Sequence, residues 1–336
     1  MNPIVTPERR VSATRPSTER SFHAEVNVAR GTSLSKDTLD KKNIHWVNVD
    51  GVRTRYYEVG RGEPLVLVHG GGFAFIDSLD CWSLNFDDLA KHFHVYALDK
   101  LGQGHTDNPQ SDREYTYESL ARHTARWLEV IGITSAHLVG HSRGGLLVAT
   151  LALEHKGLAK TVVIVDSGTL APDDPRFITE NFYKEVARRI PPGPPSLETL
   201  RAEPVANSYS PDHVTGDYLR RNLEIALLAK TKEAQQRVGA LGMDDTELGR
   251  TLWMPSLQRA RTATLEKAEQ GMPAPTLVVW GMNDPSAPLP LGLALFDRIA
   301  GRTPKAEFHI LNRAGHYCFR EQTHEFNRLI KTFCLD

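Results

Sequence analysis

The stretch that most constrains the fold of this chain is residues 136–148, which read AHLVGHSRGGLLV. A short apolar run leads into GHSRG at residues 140–144, and an apolar pattern with helical spacing follows at once. A G-x-S-x-G sequence in this setting predicts a buried strand, a sharp turn and a helix. Gly140 and Gly144 lack side chains that would obstruct the turn. The pattern therefore predicts that the hydroxyl of Ser142 is exposed at the end of a strand, where helix N–H groups can stabilise negative charge.

Apolar runs alternate with helical patterns along most of the chain. Continuous runs such as PLVLVH at 64–69 are typical of strands buried on both faces of a parallel sheet. Alternating residues around Asp50-Gly51 predict a hairpin, which places an antiparallel pair at one edge. We therefore predict an α/β fold with a mostly parallel eight-stranded sheet and helices on both faces. The predicted strands are 44–49, 52–59, 64–69, 95–99, the run before residue 140, 160–166, 275–280 and 306–311, and the predicted core helices are 84–93, 117–131, 143–155, 290–300 and 321–333.

Two segments depart from this alternation. Residues 1–43 are polar and rich in Arg, Ser and Thr, so we expect a flexible N-terminal extension. Residues 167–273 contain a Pro-rich stretch at 190–195 and no strand-like run, so we expect a helical lid inserted after the sixth strand. The α/β core would then comprise residues 44–166 and 274–336. The helical patterns of the lid lie at 179–189, 215–230 and 245–268.

A serine nucleophile needs a histidine base, and the histidine needs a carboxylate that orients it. In this architecture the acid and then the histidine follow the serine along the chain, each in a loop after a strand. Asp284 follows the run TLVVW, and His316 follows EFHIL through a short loop. The sequence thus predicts a triad of Ser142, Asp284 and His316. Asp166 is the alternative acid, and Asp284 before Pro285 is also a common arrangement for capping a turn.

Acyl transfer places negative charge on an oxygen atom, and two N–H groups must be ready to stabilise it. One predicted donor is the backbone N–H of Arg143, directly after the serine. The second is predicted in the glycine run that follows strand 64–69, with Gly71 as first choice and Gly72 as second. Neither GxxxxGK[ST] nor a complete GxGxxG is present, so a nucleotide-binding interpretation is disfavoured.

Charge and cysteine content exclude other classes of function. Forty Lys and Arg residues balance 41 Asp and Glu residues, which disfavours nucleic acid or an anionic membrane as partner. The three cysteines have no metal-binding spacing and are typical of reduced thiols, so we expect a cytoplasmic protein without a metal. No apolar run reaches the roughly 18 residues of a transmembrane helix. The expected partner is a small-molecule substrate.

Five segments together carry a family resemblance. LVLVHGGG, DKLGQGHTDNP, HLVGHSRGG, WGMNDP and AGHY resemble the α/β-hydrolase fold over about residues 44–336. Within that superfamily the chain is most similar to the meta-cleavage product hydrolases. These enzymes hydrolyse a C–C bond in 2-hydroxy-6-oxohexa-2,4-dienoates during aromatic ring degradation. The narrower resemblance rests on WSLN at 82–85, HYCFRE at 316–321 and EFNR at 325–328.

The resemblance implies a reaction and its requirements. The substrate would ketonise with proton transfer by the histidine, and hydrolytic C–C cleavage would follow through an oxyanion-stabilised species. The products would be a 2-hydroxypentadienoate and a carboxylic acid. The resemblance also implies that no organic cofactor or metal is needed, and that the chain forms a homodimer or a larger homo-oligomer.

The chain departs from that family at several positions near the predicted site. His141 stands where many members have Asn, and it is the usual residue in esterases of this fold. Asn222 stands where a lid arginine normally pairs with the substrate carboxylate, with Arg220 and Arg221 beside it. The candidate substrate-pocket residues are Gly70, Gly72, Phe73, His141, Arg220, Arg221, Asn222, Trp253 and Tyr317.

These departures leave three functions open. The preferred one is C–C hydrolysis of a meta-cleavage product. The alternative within the same chemistry is a carboxylesterase or lactonase acting on a small hydrophobic ester. The alternative from another class is a ligand-binding member of the fold without catalytic activity.

Overall fold

A computed structural model of the chain describes residues 37–239 and 246–336. The strands are β1 (Ile44–Val49), β2 (Val52–Gly60), β3 (Glu63–Val68), β4 (Phe93–Leu98), β5 (Ala136–His141), β6 (Ala159–Val165), β7 (Thr276–Gly281) and β8 (Ala306–Leu311). Within the described residues these eight strands form one sheet in the order β1-β2-β4-β3-β5-β6-β7-β8. Strands β3 to β8 pair in parallel, whereas β2 is antiparallel to both β1 and β4. The predicted mostly parallel eight-stranded sheet is confirmed.

The hairpin between β1 and β2 forms for the predicted local reason. Asp50 and Gly51 have φ angles of 49° and 91°, as a two-residue turn of this kind requires. The side chain of Asn48 accepts a hydrogen bond of 2.8 Å from the N–H of Gly51. This turn keeps the antiparallel pair at the edge of the sheet, away from the strands that carry the site.

Helices cover both faces of the sheet. They are α1 (Phe86–Leu89), α2 (Tyr117–Val130), α3 (Arg143–Glu154), α4 (Thr179–Arg189), α5 (Leu197–Ala206), α6 (Gly216–Leu227), α7 (Ala229–Val238), α8 (Met254–Ala268), α9 (Leu289–Ala300), α10 (Cys318–Glu321) and α11 (Thr323–Leu335). Short 3₁₀ segments occupy Lys41–Asn43, Leu79–Trp82, Asp112–Glu114 and Pro211–His213, and a π-helical turn occupies Gly249–Trp253.

The central strands are buried on both sides because successive side chains point to opposite faces. On β3, Val66 and Val68 pack with residues of α2, α3, α8 and α9. Leu65 and Leu67 on the same strand pack with residues of α1 and α11. The continuous apolar runs in the sequence therefore reflect two separate cores, one on each face of the sheet.

The segment between β6 and β7 contains five helices, α4 to α8, and no strand among its described residues. Helix α8, at the end of the segment predicted as the lid, packs against α2 and α3. Helix α5 was not predicted, and the predicted helix 215–230 is divided at Leu228, whose ψ of 139° is extended. Residue 245, the predicted start of the next helix, lies outside the described residues.

The predicted helix 84–93 is wrong. Only one turn, α1, forms there, and β4 already begins at Phe93. The 3₁₀ turn Leu79–Trp82 precedes it, and its cap is the Ser78 side chain, which accepts from the N–H of Asp80. Two short turns instead of one long helix leave the preceding glycine loop close to the end of β5.

Part of the predicted flexible extension is ordered. Residues 1–36 lie outside the described part of the chain, but residues 37–43 are described and Asp37 is buried. Its carboxylate pairs with Arg320 at 3.0 Å and with Arg221 at 2.7 Å. Two ion pairs therefore hold Asp37, in the described part of the predicted extension, against the rest of the chain.

Candidate active site

A cavity of about 590 Å³ lies beyond the carboxyl ends of the central strands. Its walls come from the glycine loop after β3, the turn between β5 and α3, the loop after β6, the helices of the lid and the loop after β8. Most of the lid side chains that line it are apolar, such as Phe177, Ile178 and Leu200. A cavity at this edge of a mostly parallel sheet is the usual place for a ligand in such folds.

The turn after β5 presents Ser142 to this cavity. Ser142 has φ 53° and ψ −122°, a strained conformation for a residue with a side chain. A Cβ at Gly140 would collide with the carbonyl of Gly144, and one at Gly144 would lie 2.5 Å from the carbonyl oxygen of Val68. Only glycine at both places lets the turn close this tightly. The predicted strand–turn–helix geometry is present, and Ser142 lines the cavity.

His316 and Asp284 are joined by a hydrogen bond between His316 Nδ1 and Asp284 Oδ2 of 2.6 Å. The other oxygen, Oδ1, accepts from the N–H of Ser286 at 2.9 Å and the N–H of Ala287 at 2.8 Å. Asp284 therefore caps its turn and also orients the histidine. Because Nδ1 faces the carboxylate, the opposite nitrogen of His316 is the one available to the cavity, which His316 lines.

Asp166, the alternative acid, lies close by but has a different partner. Its Oδ1 accepts from the N–H of Gly281 at 2.7 Å. Burial raises the pKa of Asp166 well above its ordinary value, and the adjacent carboxylate of Asp284 raises it further. The structure thus places Asp284, and not Asp166, against the His316 ring.

The surroundings of His316 favour its protonated form. Burial alone would lower its pKa, but the carboxylates of Asp284, Asp166 and Glu203 outweigh burial and raise the pKa to about 9. Two contacts fix the backbone of this residue. Its N–H donates to the carbonyl of Asn207 at 2.8 Å, and its carbonyl lies 2.8 Å from Nε2 of His141. Burial lowers the pKa of His141 well below its usual value, so this ring is neutral and donates from Nε2.

The two predicted oxyanion donors, Gly71 and Arg143, both line the cavity. Gly71 has φ +67°, and a Cβ there would lie 2.6 Å from Cγ of Asp77. Arg143 is the first residue of α3, so its backbone lies at the positive end of the helix. Its guanidinium lies over the ring of Phe75, 5.2 Å from the ring centre.

Three of the other predicted pocket residues, His141, Asn222 and Tyr317, line the cavity. Four more do not line it. Phe73 and Trp253 pack edge to face, 5.0 Å apart, in the core. The remaining two are glycines that pack against neighbouring side chains: Gly70 faces His141 and Ser142, and Gly72 faces Trp253 and Arg143.

The two predicted lid arginines also point away from the cavity. Arg221 is held by Asp37, and Arg220 forms an exposed pair with Asp217. Asn222, the next residue on α6, faces the cavity instead, because neighbouring residues on a helix point in different directions. Neither Arg220 nor Arg221 lines the cavity in this structure.

Four acidic residues that line the cavity, Asp77, Asp173, Asp174 and Glu203, were not predicted. Glu203 accepts from the hydroxyl of Tyr317 at 2.7 Å and from Asn207 at 2.9 Å. Burial raises the pKa of Glu203 and also that of Asp77. Asp77 is the single charged residue in the apolar stretch FAFID after the glycines, which was a usable signal. Glu203 lies on α5, which the sequence pattern did not predict.

No helix in residues 37–239 and 246–336 is long and apolar enough to cross a membrane. The same residues contain no group of three or more His, Cys, Asp or Glu side chains arranged to hold a metal ion.

Comparison with known proteins places this geometry in a family. The model of the alpha/beta hydrolase fold matches residues 63–322. A 2-hydroxymuconate semialdehyde hydrolase of Pseudomonas sp. strain CF600 is 27% identical over 284 residues, which are 84% of this chain and 90% of that protein. A 2-hydroxy-6-oxo-6-phenylhexa-2,4-dienoate hydrolase of Burkholderia cepacia is 24% identical over 314 residues, 90% of this chain and 98% of that protein.

A solved structure agrees with these relatives. The meta-cleavage product hydrolase of Pseudomonas fluorescens IP01, in complex with acetates, superposes with a TM-score of 0.69 at 26% identity, covering 87% of this chain and 98% of that one. The family match spans most of the sheet, the Ser142 turn and the His316 loop. This chain belongs to the alpha/beta hydrolase fold family.

Proposed function

We propose that the protein is a serine hydrolase that cleaves a C–C bond in a meta-cleavage product, a 2-hydroxy-6-oxohexa-2,4-dienoate. The observation that carries the proposal is the His316–Asp284 hydrogen bond beside a strained Ser142 in one cavity. The relatives described above are named as hydrolases of compounds of this type, and this similarity supports a C–C bond as the one that is cleaved. Aromatic degradation is the metabolic setting that such a substrate implies.

The residues divide the chemistry between them. His316, oriented by Asp284 at Nδ1, takes the proton of the substrate's 2-hydroxyl group at its other nitrogen and returns it to a carbon of the diene, which gives the keto form. The keto form has a carbonyl beside the bond to be broken. Ser142, or water held by it, adds to that carbonyl while His316 accepts the proton released. The N–H groups of Gly71 and Arg143 stabilise the resulting oxyanion.

Collapse of this oxyanion breaks the C–C bond. The electron pair leaves with the dienol fragment, which takes up a proton and becomes a 2-hydroxypentadienoate. Water supplies the hydroxyl of the second product, a carboxylic acid. The overall reaction consumes one water molecule and requires no oxidant or reductant.

The shape and charges of the cavity agree with such a substrate. The apolar lid residues suit an aryl or alkyl group at the end distal from the carboxylate. Arg143 and Arg261 are the arginines among the described residues that line the cavity. We assign the orientation of the substrate carboxylate to Arg143, because it directly follows Ser142 and its guanidinium lies 5.2 Å from the ring centre of Phe75 in the cavity wall.

The test follows the absorbance of a yellow ring-fission product of this type. Wild-type protein is expected to bleach it with formation of a 2-hydroxypentadienoate, and Ser142→Ala to lose that turnover. p-Nitrophenyl acetate is assayed in parallel. Turnover of the ester with none on any dienoate would reject the proposed bond specificity.

A second candidate is a carboxylesterase or lactonase. It is favoured by Asn222, which faces the cavity where a cation for a substrate carboxylate is expected, and by His141 before the serine. The same triad and oxyanion donors would serve it. A purely ligand-binding function is tested with a fluorophosphonate probe, since a non-catalytic site would leave Ser142 unlabelled.

Assembly and location are part of the same proposal. We expect a homodimer or larger homo-oligomer in the cytoplasm, with no cofactor added for activity. Light scattering of the purified chain tests the assembly, and assay after dialysis against a chelator tests the independence from metals.

A further inference from the structure

Lys100 is a buried lysine directly beneath the glycine loop. It follows β4 and is 1% exposed. Its Nζ donates a hydrogen bond of 2.9 Å to the carbonyl oxygen of Gly71. A side-chain amine is therefore committed to the backbone of the loop that supplies one of the two predicted oxyanion donors.

A second contact joins Lys100 to the same loop through His69. The backbone N–H of Lys100 donates to Nε2 of His69 at 3.2 Å, and Nδ1 of that ring donates to the carbonyl oxygen of Gly70 at 2.9 Å. Burial, with the nearby charge of Lys100, lowers the pKa of His69 well below its usual value. The ring is neutral, so one nitrogen accepts and the other donates, as the two bonds require.

We propose that Lys100 is a positioning residue for the oxyanion hole: it holds the carbonyl of Gly71 while His69 holds the carbonyl of Gly70, and the two bonds together fix the direction of the Gly71 N–H. This inference rests on the serine hydrolase function proposed above. Lys100 itself touches no reacting atom, and it acts through the backbone of the loop.

The physical reason lies in the geometry of the peptide unit. The carbonyl of Gly70 and the N–H of Gly71 belong to one peptide, and the carbonyl of Gly71 and the N–H of Gly72 belong to the next. A donor on a carbonyl oxygen polarises the peptide and strengthens the hydrogen bond that its N–H can donate. His69 acts on the first peptide and Lys100 on the second.

The same contacts prevent rotation of the loop. Rotation of the Gly71–Gly72 peptide would carry the carbonyl oxygen of Gly71 away from Lys100 and disturb the loop that presents the Gly71 N–H. The bond from Lys100 to that oxygen opposes the rotation. Asp77 packs where a side chain of Gly71 would lie. Burial lowers the pKa of Lys100 to about 7, with the charge of Asp77 opposing this shift and that of Arg143 adding to it, and the amine can donate to the Gly71 carbonyl in either protonation state.

The test compares Lys100→Met with wild type, and Lys230→Met serves as a control because Lys230 is partly buried and does not line the cavity. Loss of a direct oxyanion donor costs about 10²–10³ in kcat, so for an indirect effect we expect about a tenfold fall in kcat. KM should change by less than twofold. Lys230→Met should keep wild-type kcat and KM.

A pair of inhibitors separates positioning from general damage. Trifluoroacetophenone adds to Ser142 and places a negative oxygen in the oxyanion hole, with the serine proton passing to His316. Acetophenone binds without that charge. Lys100→Met should weaken the trifluoromethyl ketone about as much as it lowers kcat, and leave acetophenone affinity within twofold.

Two outcomes overturn the inference: an unchanged kcat, or an equal loss of affinity for both ketones. If Lys100→Met fails to fold, Lys100→Gln is used, because it retains a neutral donor and should fall between wild type and the expected Met value. A Gln variant with wild-type kcat and wild-type ketone affinities would overturn the inference. Undiminished turnover by Ser142→Ala would instead reject the proposed function and leave the Lys100 result interpretable on its own.

Discussion

Gly71 has two constraints that no other residue type satisfies together. Its φ of +67° costs an L-residue about 1–2 kcal/mol. A Cβ would also lie 2.6 Å from Cγ of Asp77, which lines the same cavity. The position therefore requires glycine for the site and not only for the turn.

Gly71→Ala is expected to lower kcat by about 10²–10³, because displacement of the loop removes an oxyanion donor. The matched control is Gly157→Ala, which has a similar φ of +84° but meets nothing within 4 Å. Both variants should lose about 1–2 kcal/mol of unfolding free energy in urea. Equal kcat for the two variants would contradict the assignment of Gly71 to the oxyanion hole.

The raised pKa of His316 predicts the pH dependence of activity. A histidine with a pKa of about 9 is mostly protonated at neutral pH in the free enzyme, and only its neutral form is a base. kcat/KM should therefore rise from pH 7 to about 9 and then level off. A profile measured over pH 6–10 that is flat above pH 7 would contradict this.

The variant Asp284→Asn tests whether the carboxylate of Asp284 is the cause of this pH dependence. Removal of the charge that raises the pKa of His316 should move the ascending limb to lower pH. The plateau should fall by about 10⁴, as expected when the orienting acid of a triad is lost. Fluorophosphonate labelling at several pH values follows the same ionisation without a substrate.

At the scale of elements, the loop after β8 and the lid are tied by one carboxylate. Glu321 on α10 accepts from the N–H groups of Tyr209 and Ser210 in the lid, at 2.8 and 2.9 Å. Its other oxygen accepts from the N–H of Gly315 at 2.7 Å. Glu321 therefore holds both Gly315, the residue before His316, and residues 209–210, which follow α5.

Glu321→Gln is expected to lower kcat about tenfold and to destabilise the fold by about 1–3 kcal/mol, because hydrogen bonds to a charged acceptor are lost. Glu325→Gln on α11 is the control, since Glu325 has only a 3.6 Å contact with His309. Urea unfolding and steady-state kinetics measure both effects. Wild-type kinetics in Glu321→Gln would show that the anchor does not position His316.

At the scale of the whole molecule, Asp37 joins three distant parts of the chain. Its carboxylate contacts Arg320 of α10, Arg221 and Thr215 in the lid, and Ser83 in the core. Burial opposes the charge, but Arg320 and the other partners outweigh it and lower the pKa of Asp37. Its contribution to stability is present above the ordinary carboxyl pKa and is lost as pH falls through the lower, folded-state value.

Asp37→Asn is expected to destabilise the protein by about 3 kcal/mol at pH 7, because it leaves buried arginines without their carboxylate. Asp40→Asn, which removes an exposed carboxylate that contacts Lys42, should change stability little. Urea unfolding at pH 7 compares them. Equal stability of the two variants would show that the Asp37 cluster does not hold the segment in place.

The sequence by itself determined the sheet, the turn at Ser142 and the placement of Asp284 and His316 after strands. These features depend on local rules: alternation of buried residues, glycine where a turn leaves no space, and the order of loops along the chain. Tertiary structure alone decided that Asp284 rather than Asp166 meets the histidine, since both follow buried strands and only packing sets their distance.

Tertiary structure also decided which side chains face the substrate. Arg221 turns to Asp37 while Asn222 turns to the cavity, and Glu203 enters from a helix that the pattern missed. Which face of a lid helix points to the cavity depends on its contacts with remote segments. The local sequence does not specify those contacts. The catalytic residues follow from local rules, whereas the substrate pocket depends on how the lid packs against the core.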